Sequence, residues 1–188
     1  GALAREGLIT ADAAGFSFAH GMARESLERF AREANRWPGH NSAAADAVLA
    51  RGLERHAERG ARHLLAAGRY EEALDQLALG ADHRTMIGEY DAADGLLELR
   101  DKTLDRIGAL DSDPRRSRAL LQRARLARLR GRSEEAADLA EEARRAALLA
   151  GRPGVTAAAL RELGIRARDQ RQLDEAQSLL EQSVALYA

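Results

Sequence analysis

One six-residue phrase recurs along the chain, each time just after a helix-breaking point. It stands as Gly68-Arg69-Tyr70-Glu71-Glu72-Ala73, as Gly88-Glu89-Tyr90-Asp91-Ala92-Ala93 and as Gly131-Arg132-Ser133-Glu134-Glu135-Ala136. A variant without the glycine follows, Arg171-Gln172-Leu173-Asp174-Glu175-Ala176. Each copy ends one helix and starts another. The glycine suits the left-handed conformation that closes a helix. The acidic residues fall in the first turn of the next helix, where the macrodipole favours them. The alanine is small enough to let that helix lie against the one before. A chain punctuated this way is predicted to be a run of packed helices.

Composition agrees with that reading. Hydrophobic residues make up 45% of the chain and aromatic residues only 4%, so the core must be built from Ala and Leu. With three prolines, this composition points away from an all-β fold. Further breaks stand at Trp37-Pro38-Gly39, Ser112-Asp113-Pro114 and Gly151 to Gly154. Apolar residues at helical spacing between the breaks predict helices over 21–36, 43–67, 70–87, 90–108, 114–130, 133–149, 154–169 and 172–187. Residues 1–20 differ. Ala2 to Glu6 reads as a helix end capped by Gly7. Leu8-Ile9-Thr10 and Phe16-Ser17-Phe18, joined by a turn at Asp12-Ala13-Ala14-Gly15, predict a small β-hairpin that must pack on something. The alternative is an irregular N-terminal cap.

The turn phrase resembles the inter-helix turn of tetratricopeptide (TPR) repeats, whose period is about 34 residues. The likeness is best from Leu160 to Leu186. There Leu160, Leu163 and Gly164 fall at the large, large and small positions of the family's first helix, and Ala176 and Leu180 at packing positions of its second. A looser copy has Leu120, Ala124, Ala136, Ala140 and Ala143 in place, with Arg123 where an apolar residue is expected. Spacing departs from the family: Ala73 to Ala93 is 20 residues, Ala93 to Ala136 is 43 and Ala136 to Ala176 is 40. The resemblance implies an all-α, right-handed TPR-like superhelix of antiparallel helix pairs. An irregular helical bundle is the alternative that spacing alone leaves.

A second resemblance covers the N-terminus. Phe16-Ser17-Phe18-Ala19-His20-Gly21-Met22-Ala23-Arg24-Glu25-Ser26-Leu27 is similar to a segment of large bacterial signalling ATPases of the STAND type and of related kinase- or cyclase-linked regulators. In those proteins an aromatic-x-Phe-x-His strand ends a winged-helix-like domain, and a helical array follows. Ala61-Arg62-His63-Leu64-Leu65-Ala66-Ala67-Gly68 looks like the helix end that opens such arrays. This implies that residues 1–20 close a preceding winged-helix-like domain and that 21–188 form the TPR-like domain. The first residue is Gly rather than Met, which suits an excised piece.

Few chemistries fit these residues. There is no cysteine, so disulfides, thiolate metal sites and cysteine catalysis are excluded. No Gly-rich phosphate loop precedes the lone Lys102, so ATP hydrolysis is not expected. His56 and His63 are seven apart, too far to share one metal without bending, and no metal or cofactor is expected. Adjacent carboxylates such as Glu71/Glu72, Glu134/Glu135 and Glu141/Glu142 diverge by about 100° on a helix and make poor acid/base pairs. Ser26 and Ser178 have no His and Asp at helical spacing to activate them, so no enzyme activity is expected. No apolar run approaches the roughly 18–20 residues of a membrane span. The formal net charge of −1 points away from nucleic acid as a partner. Trp37 either contacts a partner or packs back on the first helices.

The pattern of arginines is more informative. Arg118 and Arg125 are seven apart, as are Arg161 and Arg168, so each pair shares a helix face. TPR-family groove positions, carried onto this sequence, imply a concave row of Arg118, Arg125 and Arg128, then Arg161 and Arg168. Leu121, Leu129 and Ile165 are the apolar neighbours, with Arg62 extending the row. Guanidinium forks bind carboxylates and phosphates in a bidentate way. With 29 basic residues, all but Lys102 arginine, such rows also arise by chance, and nearby Glu and Asp can neutralise them. The implied role is a non-catalytic interaction or sensor module of a larger bacterial cytoplasmic signalling protein, binding a peptide or protein partner, acidic in character, in its concave groove. The alternative is a self-associating scaffold that forms a homo-oligomer, because Leu173, Leu179, Leu180, Val184 and Leu186 make the last helix apolar enough to need a neighbour.

Overall fold

The computed structural model of the chain describes residues 5–12, 15–52 and 54–187. It opens on an antiparallel hairpin, β1 (Ile9–Asp12) and β2 (Gly15–Phe18), with Ile9 opposite Phe18 and Asp12 opposite Gly15. The two middle residues of the predicted turn, 13 and 14, lie outside the described residues, as do residues 1–4. Nine α-helices follow among the described residues. They are α1 (Gly21–Glu33), α2 (Trp37–Leu49), α3 (Ala57–Ala66), α4 (Tyr70–Met86), α5 (Tyr90–Arg106), α6 (Pro114–Leu129), α7 (Ser133–Leu149), α8 (Pro153–Asp169) and α9 (Leu173–Ala185). A single 3-10 turn, Glu54–His56, leads into α3. Each helix packs on the next, and α6 also touches both α4 and α8. That puts α4, α6 and α8 in one layer, with α5, α7 and α9 in the other. The chain is an all-α helical-repeat array with a small N-terminal hairpin.

One backbone device joins the helices. After α3, Arg69 N–H donates to Leu64 O at 2.9 Å and Gly68 N–H to Leu65 O at 3.1 Å, with Gly68 at φ 78°. This is the two-bond Schellman closure, which satisfies carbonyls that a helix end otherwise leaves open. It recurs after α4, α5, α6 and α7. The alanine of each turn phrase is then buried against the preceding helix, as at Ala73, Ala93, Ala136 and Ala176.

The predicted helix 43–67 is in fact two helices. Gly52, at φ 63°, closes α2, and the chain resumes at the 3-10 turn. A lone glycine inside an apolar pattern is compatible with a continuous helix; here it is a helix terminator. Trp37-Pro38-Gly39, predicted as a break, instead begins α2. Proline in a first helical turn has no hydrogen bond to lose. The break falls earlier, at Asn35 with φ 54°.

Leu64, Leu74, Leu77, Leu97, Leu104 and Leu126 are fully buried, and alanines fill the seams between them. A buried leucine contributes about 2 kcal/mol and an alanine much less, so stability is spread over many small contacts. Close approach is what those small residues allow. A Cβ on Gly80 would come within 3.2 Å of the Glu58 backbone nitrogen.

Candidate functional site

The face carrying the predicted arginines depends on where α6 begins. Asp113 sets that point: its carboxylate accepts from Arg115 N–H at 2.9 Å and from the Arg115 guanidinium at 2.9 and 2.7 Å. The Arg115 hydrogen bonds outweigh partial burial and hold the Asp113 carboxyl down at about 2. Asp113 is the one side-chain N-cap among the described helices. Pro114 follows it at the first helical position.

From that start, Arg118, Leu121 and Arg125 come together beside a cavity of about 390 Å³. Arg152 and the first turn of α8 form its other wall, with Asp82 of α4 and Tyr187 at its edges. Leu121 is buried and belongs to the core beneath. Gln122 ties α6 to α4 by donating to Ala78 O at 3.1 Å and to Asp82 Oδ1 at 2.9 Å. Arg118 and Arg152 make no ion pair or side-chain hydrogen bond among the described residues.

The rest of the predicted row does not stay on this surface as one strip. Glu162, only 5% exposed, sits among its arginines. Arg128 Nε donates to Glu162 Oε2 at 2.8 Å, while Arg125 Nε and Arg161 Nη2 lie 3.4 and 3.6 Å from Oε1. Arg128, Glu162, Arg166 and Gln170 border a smaller cavity of about 170 Å³. Ile165 is half-buried. Arg168 is exposed and pairs with its neighbour Asp169 at 2.8 Å. Arg62 is bound to Glu58 at 2.9 Å. Burial favours a raised Glu58 pKa, but hydrogen bonds from Arg62 and Arg84 outweigh it and hold the carboxyl below its usual range.

The other candidates are used in packing. His63 Nδ1 lies 2.9 Å from Asn41 Oδ1, and Asn41 Nδ2 donates to Trp37 O at 2.9 Å. The Asn41 amide is thereby oriented, so Nδ1 is the protonated nitrogen of the ring. Burial, then the charge of Arg59, pushes the His63 pKa down. The Arg32 guanidinium stacks over the Trp37 ring, 4.2 Å from its centroid. Adjacent carboxylates diverge to separate arginines: Glu71 meets Arg115 and Glu72 meets Arg69. Among the described residues no three side chains of His, Asp or Glu group as metal ligands, and no helix is long and apolar enough to cross a membrane.

No protein-family model matches the chain, and no curated protein matches it. Solved structures do. BtubC (BKLC) from P. vanneervenii superposes with a TM-score of 0.59 at 21% identity, over 86% of this chain and 68% of that one. The fold is TPR-like. A Podosopora anserina protein of nearly identical TPR-like repeats gives a TM-score of 0.46 at 20% identity, over 89% and 94% of the two chains. In this TPR-like array the best-matching repeat packs as its sequence implies. A Cβ on Gly164 would lie 2.9 Å from Leu180 Cγ, and Ala176 is buried beside it.

Sequence reasoning missed Glu162, Arg152 and Arg100. Glu162 is next to Arg161, and neighbours on a helix face different ways. Its spacing from Ala158, four residues on, was the available signal of a buried face. Arg100 of α5 is 1% exposed, donates to Arg115 O at 3.0 Å and leaves its Nε without a partner. Burial pushes the Arg100 pKa down, and the neighbouring Asp101 carboxylate offsets only part of that.

Proposed function

We propose that the chain is a non-catalytic interaction module that holds a peptide or protein partner along its α6–α8 face. On this reading Arg118 and Arg125 form the central contact over buried Leu121, while Arg128, Arg161, Ile165 and Arg168 lie to its side, and acidic side chains of the partner meet the guanidinium groups that are free of internal partners. The observation that carries the reading is that Arg118 and Arg152 flank an open cavity with no internal acidic partner. A free guanidinium fork beside apolar surface suits a carboxylate-bearing peptide. Stacked repeats with an extended concave surface are built for such contacts. The module would belong to a larger cytoplasmic signalling protein of the STAND type, with residues 1–20 closing a winged-helix-like domain. Partner binding would then shift an attached ATPase or kinase.

A displayed peptide library panned on the chain, and on a variant with Arg118, Arg125, Arg161 and Arg168 changed to Glu, tests the groove. Peptides enriched on the wild type and lost on the variant are expected. Peptides held equally by both overturn it. A full-length parent whose ATPase or kinase output ignores the partner overturns the switching role.

A second reading, self-association through α9, has its own support. Leu173, Val184 and Tyr187 are 67%, 69% and 62% exposed on and just after α9.

A further inference from the structure

We infer that the cavity between α6 and the start of α8 is a subsite for a phosphomonoester group. The inference rests on the groove reading for its setting and adds the chemistry of one ligand group. Three guanidinium groups, Arg118, Arg125 and Arg152, line this cavity, opposed by one carboxylate, Asp82. Asp82 already accepts a hydrogen bond from Gln122 at 2.9 Å. Arg125 also shares the Glu162 carboxylate with Arg128 and Arg161, which offsets part of its charge. The lining therefore carries an excess of between about one and two positive charges, close to the charge of about −1.5 to −2 on a phosphomonoester near neutral pH. A carboxylate would balance only one.

Donor geometry adds to the count. The cavity opens on the N-terminus of α8, a 17-residue helix. Val155 N–H and Thr156 N–H are both taken by Arg152 O, at 3.1 and 3.0 Å, and Pro153 has no N–H. Gly154 N–H is left without an acceptor among the described residues, and a Cβ there would meet nothing within 4 Å. An anion at this point gains the helix dipole as well as the guanidinium forks.

Size then says what carries the phosphate. About 390 Å³ has room for roughly a dozen waters, far more than one inorganic ion displaces. Leu121, Val155 and Ala158 supply apolar wall beside the charges. The fitting ligand is a phosphoryl group attached to a larger body, such as a phosphorylated side chain of a bound peptide.

Amide NMR titrations of the chain with inorganic phosphate, phosphoserine and acetate test this, with a phosphorylated and an unphosphorylated form of one acidic peptide as further arms. Saturable shifts at Gly154 and Val155 are expected with phosphate and phosphoserine and not with acetate. Arg118→Ala and Arg152→Ala break no internal pair and should each weaken binding at least about tenfold, the loss of one charge-assisted hydrogen bond. Gly154→Asp puts a carboxylate into open space at a helix start, where it favours the fold, and should abolish binding. Arg145→Ala, on α7 outside the cavity, should change nothing. If phosphate binds and neither peptide does, the subsite stands and the peptide groove falls. If both peptides bind alike and phosphate does not, the subsite falls and the groove stands. Equal response to acetate and phosphate, or binding that survives Gly154→Asp, also overturns the subsite.

Discussion

Two residues set local structure through the backbone they hold. Asp113 caps α6, and replacing it with Ala should cost about 1 kcal/mol in urea unfolding at neutral pH. Its folded pKa, about 2, lies below the ordinary 3.8. A depressed acid contributes its stability above the unfolded value and loses it as pH falls through the folded one. The gap between wild type and Asp113→Ala should therefore be full above about pH 4 and close as pH falls towards about 2. Arg171 is the exception among the turn phrases. It holds φ 63° with a full side chain, where the other copies have Gly. Arg171→Gly should raise stability by about 0.5–1 kcal/mol, because a left-handed non-glycine residue costs about that much. A fall in the unfolding midpoint would refute this. The missing glycine was legible in the sequence; that the backbone keeps the left-handed turn without it was not.

At the scale of the element, each helix pair depends on a small residue at its closest approach. Gly164 of α8 faces Leu180 of α9, and an added Cβ would sit 2.9 Å from Leu180 Cγ. Gly164→Ala should destabilise by about 1–3 kcal/mol through overpacking, even though alanine is the better helix former. Combining it with Leu180→Ala tests the contact itself. The double variant should be more stable than the sum of the two single losses predicts, a coupling that additive losses would exclude. Here local sequence was a good guide, because a small first-helix position and a large second-helix one stand at readable spacing. It was a poor guide at 43–67. A glycine inside an apolar pattern is compatible with a continuous helix or with a stop, and only the packing of α3 on α2 and α4 selects the stop at Gly52.

For the whole molecule, α9 and the turn after it carry exposed apolar side chains, Leu173, Val184 and Tyr187, among the described residues. If Leu173, Val184 and Tyr187 mediate self-association, sedimentation velocity should show mass rising with concentration, and Val184→Glu should suppress it. One constant mass over a wide concentration range would remove that role. The same scale explains why the arginine row divides. Arg118 faces a cavity that α8 opens with its first turn, Arg128 meets Glu162 from that helix's middle, and Arg125 lies between, lining the cavity and 3.4 Å from Glu162. Two helices whose individual rows are regular need not join them into one strip, because crossing geometry decides which residues face each other.

Sequence alone determined the repeating unit: where most helices end, which ends carry acid, which residues are small, and hence an all-α run of packed helices. Those are local properties, set by backbone conformation, the helix dipole and side-chain size within a few residues. Tertiary structure decided the charge of the candidate site. Glu162 neutralises one part of the row, and Arg152 and the start of α8 complete another. Glu162 and Arg152 are separated from the α6 arginines they face by 27–37 residues of chain, and only packing α8 beside α6 fixes the distances over which their charges act.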